Sequence, residues 1–166
     1  MSLTQSVPIF STPVMFGVIS DTHGLLRPEA VAALRGVDGI LHAGDVGKEA
    51  VLAPLAALAP LVAIRGNVDR GEWAQSLPPT ETFEAGGVLV HLVHDLHDLD
   101  LDPRAAAVRV VISGHSHQPS VREQDGVLYL NPGSAGPRRF KLPVTVARLE
   151  IQAGGRVAAR IIELAV

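Results

Sequence analysis

Three short apolar runs near the start of the chain constrain its fold more than any other feature. Val14 to Ser20 ends at Asp21-Thr22-His23-Gly24, Gly39 to His42 ends at Gly44-Asp45, and Leu61 to Arg65 ends at Gly66-Asn67-Val68-Asp69. Runs of this length without polar alternation read as strands buried on both faces. Between them, Arg27 to Arg35 reads as a helix, with Pro28 suited to its first turn and Gly36 to its stop. Lys48 to Leu58 reads as a second helix with a defect at Pro54. Strand, helix, strand, helix, strand is the pattern of a parallel α/β unit.

The character changes after Gly71. Thr80 to Glu84 and Val88 to His94 read as strands around a Gly86-Gly87 hairpin turn. Val108 to Ser113 is a further apolar run, ending at Gly114-His115-Ser116-His117. In a strand, residues two apart share a face, so these two imidazoles are expected side by side and aimed at one point. Ser120 to Glu123 and Val127 to Leu130 flank Asp125-Gly126, a hairpin signal, and Asn131-Pro132-Gly133-Ser134 has type II turn composition. Val144 to Ile151 and Val157 to Leu164 read as two antiparallel strands around Gly154-Gly155. The expectation is one domain over residues 14–166, with two sheets face to face and helices outside, preceded by a loose tail over residues 1–13.

Composition narrows the function classes. Of 166 residues, 47% are hydrophobic and 19% charged, as a packed interior requires. The net charge of -3 gives no general pull toward nucleic acid or an anionic membrane. Cysteine is absent, which removes thiolate ligands and nucleophiles and fits a reducing cytoplasm. The longest uncharged run, Ala50 to Ile64, is interrupted by Pro54 and Pro60 and is short for a bilayer span. An exposed edge strand in the back half could pair two copies into a homo-oligomer.

Polar residues recur where apolar runs stop: Asp21 and His23, Asp45, Asn67, His94, and His115 with His117. In open α/β sheets ligands bind beyond the carboxyl ends of the strands, so all seven can meet on one rim. Carboxylate, imidazole and amide donors without sulfur suit Mn, Fe, Zn, Ni or Mg. Seven donors exceed one tetrahedral ion but suit two ions sharing a carboxylate, with Asp45 as the natural bridge. Two ions about 3.5–4 Å apart can hold a hydroxide and clamp an in-line phosphoryl displacement. His94 is preferred to His91 and His97 because it stands at the strand end. His42 reads as a neighbour of the ligands or a satisfied core histidine, and Trp73 as a packing residue. Asp98, Asp100 and Asp102 lack the glycine and terminal glutamate of a calcium loop and read as solvated.

Taken in order, Asp21-x-His23, Gly44-Asp45, Gly66-Asn67-x-Asp69, His94 and Gly114-His115-x-His117 resemble the motif blocks of the calcineurin-like metallophosphoesterases, most closely their small single-domain phosphodiesterase-like branch. The resemblance implies a four-layer α/β/β/α sandwich of two mixed sheets. It implies that Asp21, His23, Asp45 and His117 bind one divalent ion and that Asp45, Asn67, His94 and His115 bind a second, Mn2+ being the first choice. It also implies hydrolysis of a small phosphodiester, with His23 near the leaving group and Asp69 orienting a ligand. Two positions depart from the pattern. Val68 stands where many relatives carry a histidine that helps the leaving group, and Asp95 stands where relatives often carry glycine. A non-catalytic scaffold resembling the retromer subunit is the rival reading, and a nuclease, disfavoured by the charge, is the third.

Overall fold

The computed structural model describes residues 7–166. Ten strands form two five-stranded sheets. The first contains β1 (Val14–Ile19), β2 (Gly39–His42), β3 (Leu61–Ala63), β9 (Thr145–Ile151) and β10 (Val157–Glu163), in the order β10-β9-β1-β2-β3. β1, β2 and β3 pair in parallel, whereas β9 pairs antiparallel with both β1 and β10. The second contains β4 (Thr80–Ala85), β5 (Val88–Val93), β6 (Val108–Ile112), β7 (Ser120–Gln124) and β8 (Val127–Asn131), in the order β4-β5-β6-β8-β7. Its centre, β5, β6 and β8, is parallel and its two edges are antiparallel. Both sheets are therefore mixed, as expected. β7 is an edge strand exposed along its whole length.

Strand alternation sorts the apolar residues into layers. Along β1, Val14, Phe16 and Val18 face the second sheet, while Met15 and Ile19 face the helices. The inter-sheet core joins Phe16, Val18, Leu41 and Val62 to Val90, Leu92, Val110, Ile112 and Leu130. On the other side of the first sheet, α1 (Pro28–Ala33), α2 (Leu52–Leu58) and α3 (Glu72–Gln75) cover Ile19, Ile40 and Val146. Trp73 of α3 packs on that same cluster, as a packing residue should.

The fourth layer is thin. The outer face of the second sheet, Val93, Val108, Val111 and Val127, is covered by Leu96, Leu99 and Leu101 from a 3-10 turn at Leu96–Asp98 and the loop after it. Asp95, Asp98, Asp100 and Asp102 give that segment turn chemistry rather than helical periodicity. The second helix also differs from its expected form. A 3-10 turn at Glu49–Val51 precedes α2, which starts only at Leu52. Pro54 thus falls in the first turn, where backbone N–H groups have no partner within the helix, and no defect results.

The tail expected over residues 1–13 joins the domain earlier than that. Phe10 bridges to Ala85 and is only 8% exposed. Its ring meets Phe16 edge-on at 4.8 Å and lies 5.9 Å from Phe83. Residues 1–6 lie outside the described residues. Among the described residues no helix is long and apolar enough to cross a membrane.

Candidate metal centre

The pairing of β1 with β2 does not stop where the strands do. Ala43 N–H donates to Ile19 O, Asp21 N–H to Gly44 O, His23 N–H to Asp45 O and Gly24 N–H to Val46 O, at 2.7–3.0 Å. The two loops therefore leave the sheet side by side, which brings Asp21 and His23 against Asp45. Gly47 closes this contact at φ 87°, and a Cβ there would run into the His23 backbone. Asp21, His23, Asp45, His115 and His117 all have φ between 46° and 69°. They are five of the eight non-glycine residues with positive φ among those described. Such backbone persists only where surrounding contacts hold it, and it gathers at functional sites.

This backbone corrects the expectation for the His-x-His pair. β6 ends at Ile112, and both histidines sit in a left-handed loop rather than in a strand. Their rings consequently serve two places. Asp21, His23 and His117 form one cluster of potential ligand atoms, and Asp45, His94 and His115 form another, each within 4.8 Å.

In the first cluster His117 Nε2 lies 3.3 Å from Asp21 Oδ1 and 3.3 Å from His23 Nε2. In the second, His94 Nε2 lies 3.2 Å from Asp45 Oδ2. The same Asp45 oxygen lies 3.8 Å from His23 Nε2, so this carboxylate stands between the clusters. Asn67 is exposed and lines a cleft shared with His94 and His115.

Both clusters suit divalent cations. Ligand atoms about 2.0–2.2 Å from one ion lie about 3–3.5 Å from each other, close to the spacings here. Asp21 Oδ1 and His94 Nε2 are buried without a hydrogen-bond partner, a costly arrangement unless something else binds them. Each has its remaining atom already engaged. Asp21 Oδ2 accepts from Ser20 Oγ at 2.7 Å and from His115 N–H at 3.1 Å. His94 Nδ1 donates to Ala43 O at 2.8 Å, which leaves Nε2 free to coordinate.

The electrostatics agree with that reading. Burial alone would depress the His94 pKa, but contact with Asp45, the Ala43 carbonyl and the charge of Asp21 outweigh it and raise it to about 9. The carboxylates of Asp45 and Asp21 thus favour positive charge on the His94 ring. Burial works against ionised Asp45 too, but His94, Val68 N–H and His23 more than offset it and hold its carboxyl below the usual range. His23, in contrast, is lowered, chiefly by burial, despite Asp45 and Asp21.

Asp69, expected to orient a ligand, reaches the site through backbone amides. Its Oδ2 accepts from Val46 N–H (3.1 Å) and Gly66 N–H (2.8 Å), and its Oδ1 from Gly47 N–H (2.8 Å). It clamps the Asp45 loop to the Asn67 loop and touches no imidazole. Asp95 Oδ1 caps the 3-10 turn through His97, and Oδ2 lies 3.5 Å from His115 Nε2.

Sequence reasoning left His42 as a neighbour of the ligands or a core histidine, and gave Thr22, Asn131 and Ser134 no role at the site. His42 is fully buried and joins three segments: Gly44 N–H donates to its Nδ1, its Nε2–H donates to Thr22 Oγ1, and that hydroxyl donates to Val46 O. Burial, the largest influence, lowers its pKa to about 4. Asn131 Nδ2 donates to Gly114 O and Ser116 Oγ, fixing the loop between the two histidines. Ser134 Oγ donates to Asp21 O. The Asn-Pro-Gly-Ser segment was visible as a turn, but its partners lie far away in sequence.

Residues 14–154 match the calcineurin-like phosphoesterase superfamily domain. A probable metallophosphoesterase of Methanothermobacter thermautotrophicus is 38% identical over 162 residues, covering 90% of this chain and 92% of its own. Among solved structures, one characterised as a novel archaeal phosphodiesterase superposes with a TM-score of 0.73 at 23% identity, covering 89% of this chain and 99% of that one. Vps29 of Entamoeba histolytica in complex with Zn2+ superposes with a TM-score of 0.70 at 24% identity, covering 90% and 98%. With two mixed sheets, oxygen and nitrogen donor clusters at their carboxyl rim, and this match over most of its length, the chain belongs to the calcineurin-like phosphoesterase superfamily.

Proposed function

We propose that the protein is a dinuclear metal-dependent phosphodiesterase. The observation that carries this reading is the position of Asp45 Oδ2 between the two clusters, 3.2 Å from His94 and 3.8 Å from His23. Asp21, His23 and His117 would hold one divalent ion and His94, Asn67 and His115 the other, with Asp45 shared. Mn2+ suits the oxygen and nitrogen donors. Bound there, such ions supply Lewis acidity toward phosphate oxygens and a water deprotonated near neutral pH.

The chain's own residues set the geometry for this chemistry. Asp69, through three backbone amides, fixes the loop that carries Asp45. Asn131 fixes the loop that carries His115 and His117. The His94 Nδ1–H bond to Ala43 O selects the tautomer with a free Nε2. His23, with an 18% exposed side chain against 3% for His117, is the first-cluster imidazole that a substrate can reach. It is our candidate for assisting at the ester oxygen.

A scaffold role like that of the retromer subunit is the second reading. Val68 favours it: the residue is 42% exposed beside Asn67, and its side chain can neither donate nor accept a proton. The full set of ligand types favours catalysis. The deciding experiment is hydrolysis of bis-(4-nitrophenyl) phosphate and 4-nitrophenyl phosphate by chelator-stripped protein, with and without Mn2+, beside Asp45→Asn. We expect Mn2+-dependent cleavage favouring the diester, two ions per chain, and at least about a 100-fold loss in the variant. Near-wild-type turnover by metal-replete Asp45→Asn would overturn the assignment. No turnover by metal-loaded wild type would favour the scaffold.

A further inference from the structure

The rim beside the first cluster carries a loop that neither packing nor backbone preference explains. Its base, residues 134–136, docks on the segment that leads to His23. Ala135 N–H donates to Ser20 O at 3.1 Å, Ser134 Oγ to Asp21 O at 3.0 Å, and Arg27 Nε to Gly136 O at 3.3 Å. A Cβ at Gly136 would run into the carbonyl oxygens of Thr22 and Asp21, so the loop leaves directly from the metal-site backbone. Residues 137–141 then stand exposed. Leu142 N–H returns to Arg139 O at 3.1 Å, closing a tight turn with Phe140 at φ 52°. A bulky side chain rarely takes that backbone, and a ring that is 94% exposed gains too little from burial to offset it. Such strain gathers where a segment is placed for function. Arg138 is occupied at the base, donating to Leu142 O and Val166 O. Arg139, at the turn, forms no ion pair among the described residues. Its charge reaches the site: burial chiefly lowers His23, against Asp45 and Asp21, and Arg139 adds to His117 in keeping it low.

We propose that Arg139 is a further catalytic residue, its guanidinium donating to the leaving ester oxygen beside His23 and supplying the help that Val68 cannot give. This inference rests on the phosphodiesterase reading above. The reaction is ordinary hydrolysis. Water oxygen forms the new P–O bond, the P–O bond to the leaving group breaks, and its electron pair stays on the leaving oxygen. The water protons pass to the released alcohol and to solvent. Arg139 keeps its protons throughout, since a guanidinium does not titrate in this range. It lowers the barrier by meeting the negative charge that grows on the leaving oxygen. A poor leaving group carries more of that charge, so it depends more on Arg139.

The test measures kcat/KM on a series of methyl aryl phosphates, from 4-nitrophenyl to unsubstituted phenyl, with Mn2+-loaded full-length protein. Wild type is compared with Arg139→Ala, Arg139→Lys and the neighbouring exposed control Lys141→Ala. We expect Arg139→Ala to lose about tenfold on the 4-nitrophenyl ester and about 100-fold on the phenyl ester, while it keeps its bound Mn2+. Added guanidinium should restore part of that loss where Na+ at equal ionic strength does not. Arg139→Lys, with its charge but without the planar fork, should fall between. Lys141→Ala should match wild type. No loss in Arg139→Ala, or a loss of one size across the series, overturns the proposal and leaves the phosphodiesterase reading intact. A loss that guanidinium does not relieve, or an equal loss in Lys141→Ala, also overturns it. Failure of wild type to cleave any ester of the series overturns the phosphodiesterase reading itself, and the role of Arg139 with it.

Discussion

Replacing Asp69 with asparagine separates a clamp from a reacting group. Asn keeps one oxygen and turns the other into an NH2 donor. If its oxygen takes the place of Oδ2, the Val46 and Gly66 bonds survive without the carboxylate charge, and the Gly47 N–H faces another donor. A buried donor left unpaired costs about 1–3 kcal/mol, and two bonds reduced from charged to neutral cost roughly 0.5–1 kcal/mol each. Asp69→Asn should therefore lose about 2–5 kcal/mol of folding stability. In urea this corresponds to a midpoint lower by about 1–2.5 M. The measurement uses chelator-treated protein, so that bound ions contribute nothing to the difference. Mn2+ affinity should fall as well, because Val46 and Gly47 directly follow Asp45. An unchanged urea midpoint with activity lost would refute the clamp and give Asp69 a direct part in the reaction.

Two other perturbations test the frame around the site. His42 titrates near 4 in the folded protein against about 6.5 when unfolded, so the unfolded chain binds more protons between those values and stability rises with pH across that window. Its contribution, about 3 kcal/mol, should be complete above pH 6.5 and lost as pH falls toward 4. Chelator-treated wild type and His42→Gln, unfolded in urea at a series of pH values, should differ in pH slope there, and parallel slopes would refute the assignment. Phe10→Ala should cost about 3 kcal/mol by opening the aromatic cluster with Phe16 and Phe83, read as a drop in thermal midpoint. An unchanged midpoint would mean that Phe10 does not pack there.

What could be read from the sequence was the part that depends on local pattern. β1, β2 and β3 announced themselves as apolar runs, and both clusters are built from residues that stop such runs. The hairpins at Gly86-Gly87 and Asp125-Gly126 were equally plain, since each needs two residues with positive φ and has them. What stayed hidden depends on contacts distant in sequence. Asp69 was expected to orient a ligand, but nothing in the sequence showed that it would act through the Val46, Gly47 and Gly66 amides. The His115-x-His117 spacing alone suggested one target because it assumed a strand; the division of the rings between two clusters, which only the family resemblance implied, follows from the left-handed backbone. Phe10 carried no periodic signal in so short a segment, and only the ring cluster with Phe16 and Phe83 ties it to the domain.

The pairing of parallel strands has a practical consequence for handling this protein. β1, β2, β3, β5 and β6 all deliver their carboxyl ends to the metal rim. The tight turns at Gly86-Gly87, Asp125-Gly126 and Gly154-Gly155 all fall at the opposite pole. One pole is thus committed to chemistry, where adding a single residue would break the continued ladder between Asp21 and Asp45. The other consists of surface turns with no part in the site, and turns of that kind tolerate additions best. A fluorophore, an affinity handle or a surface anchor belongs there, where it leaves the cleft open to incoming substrate.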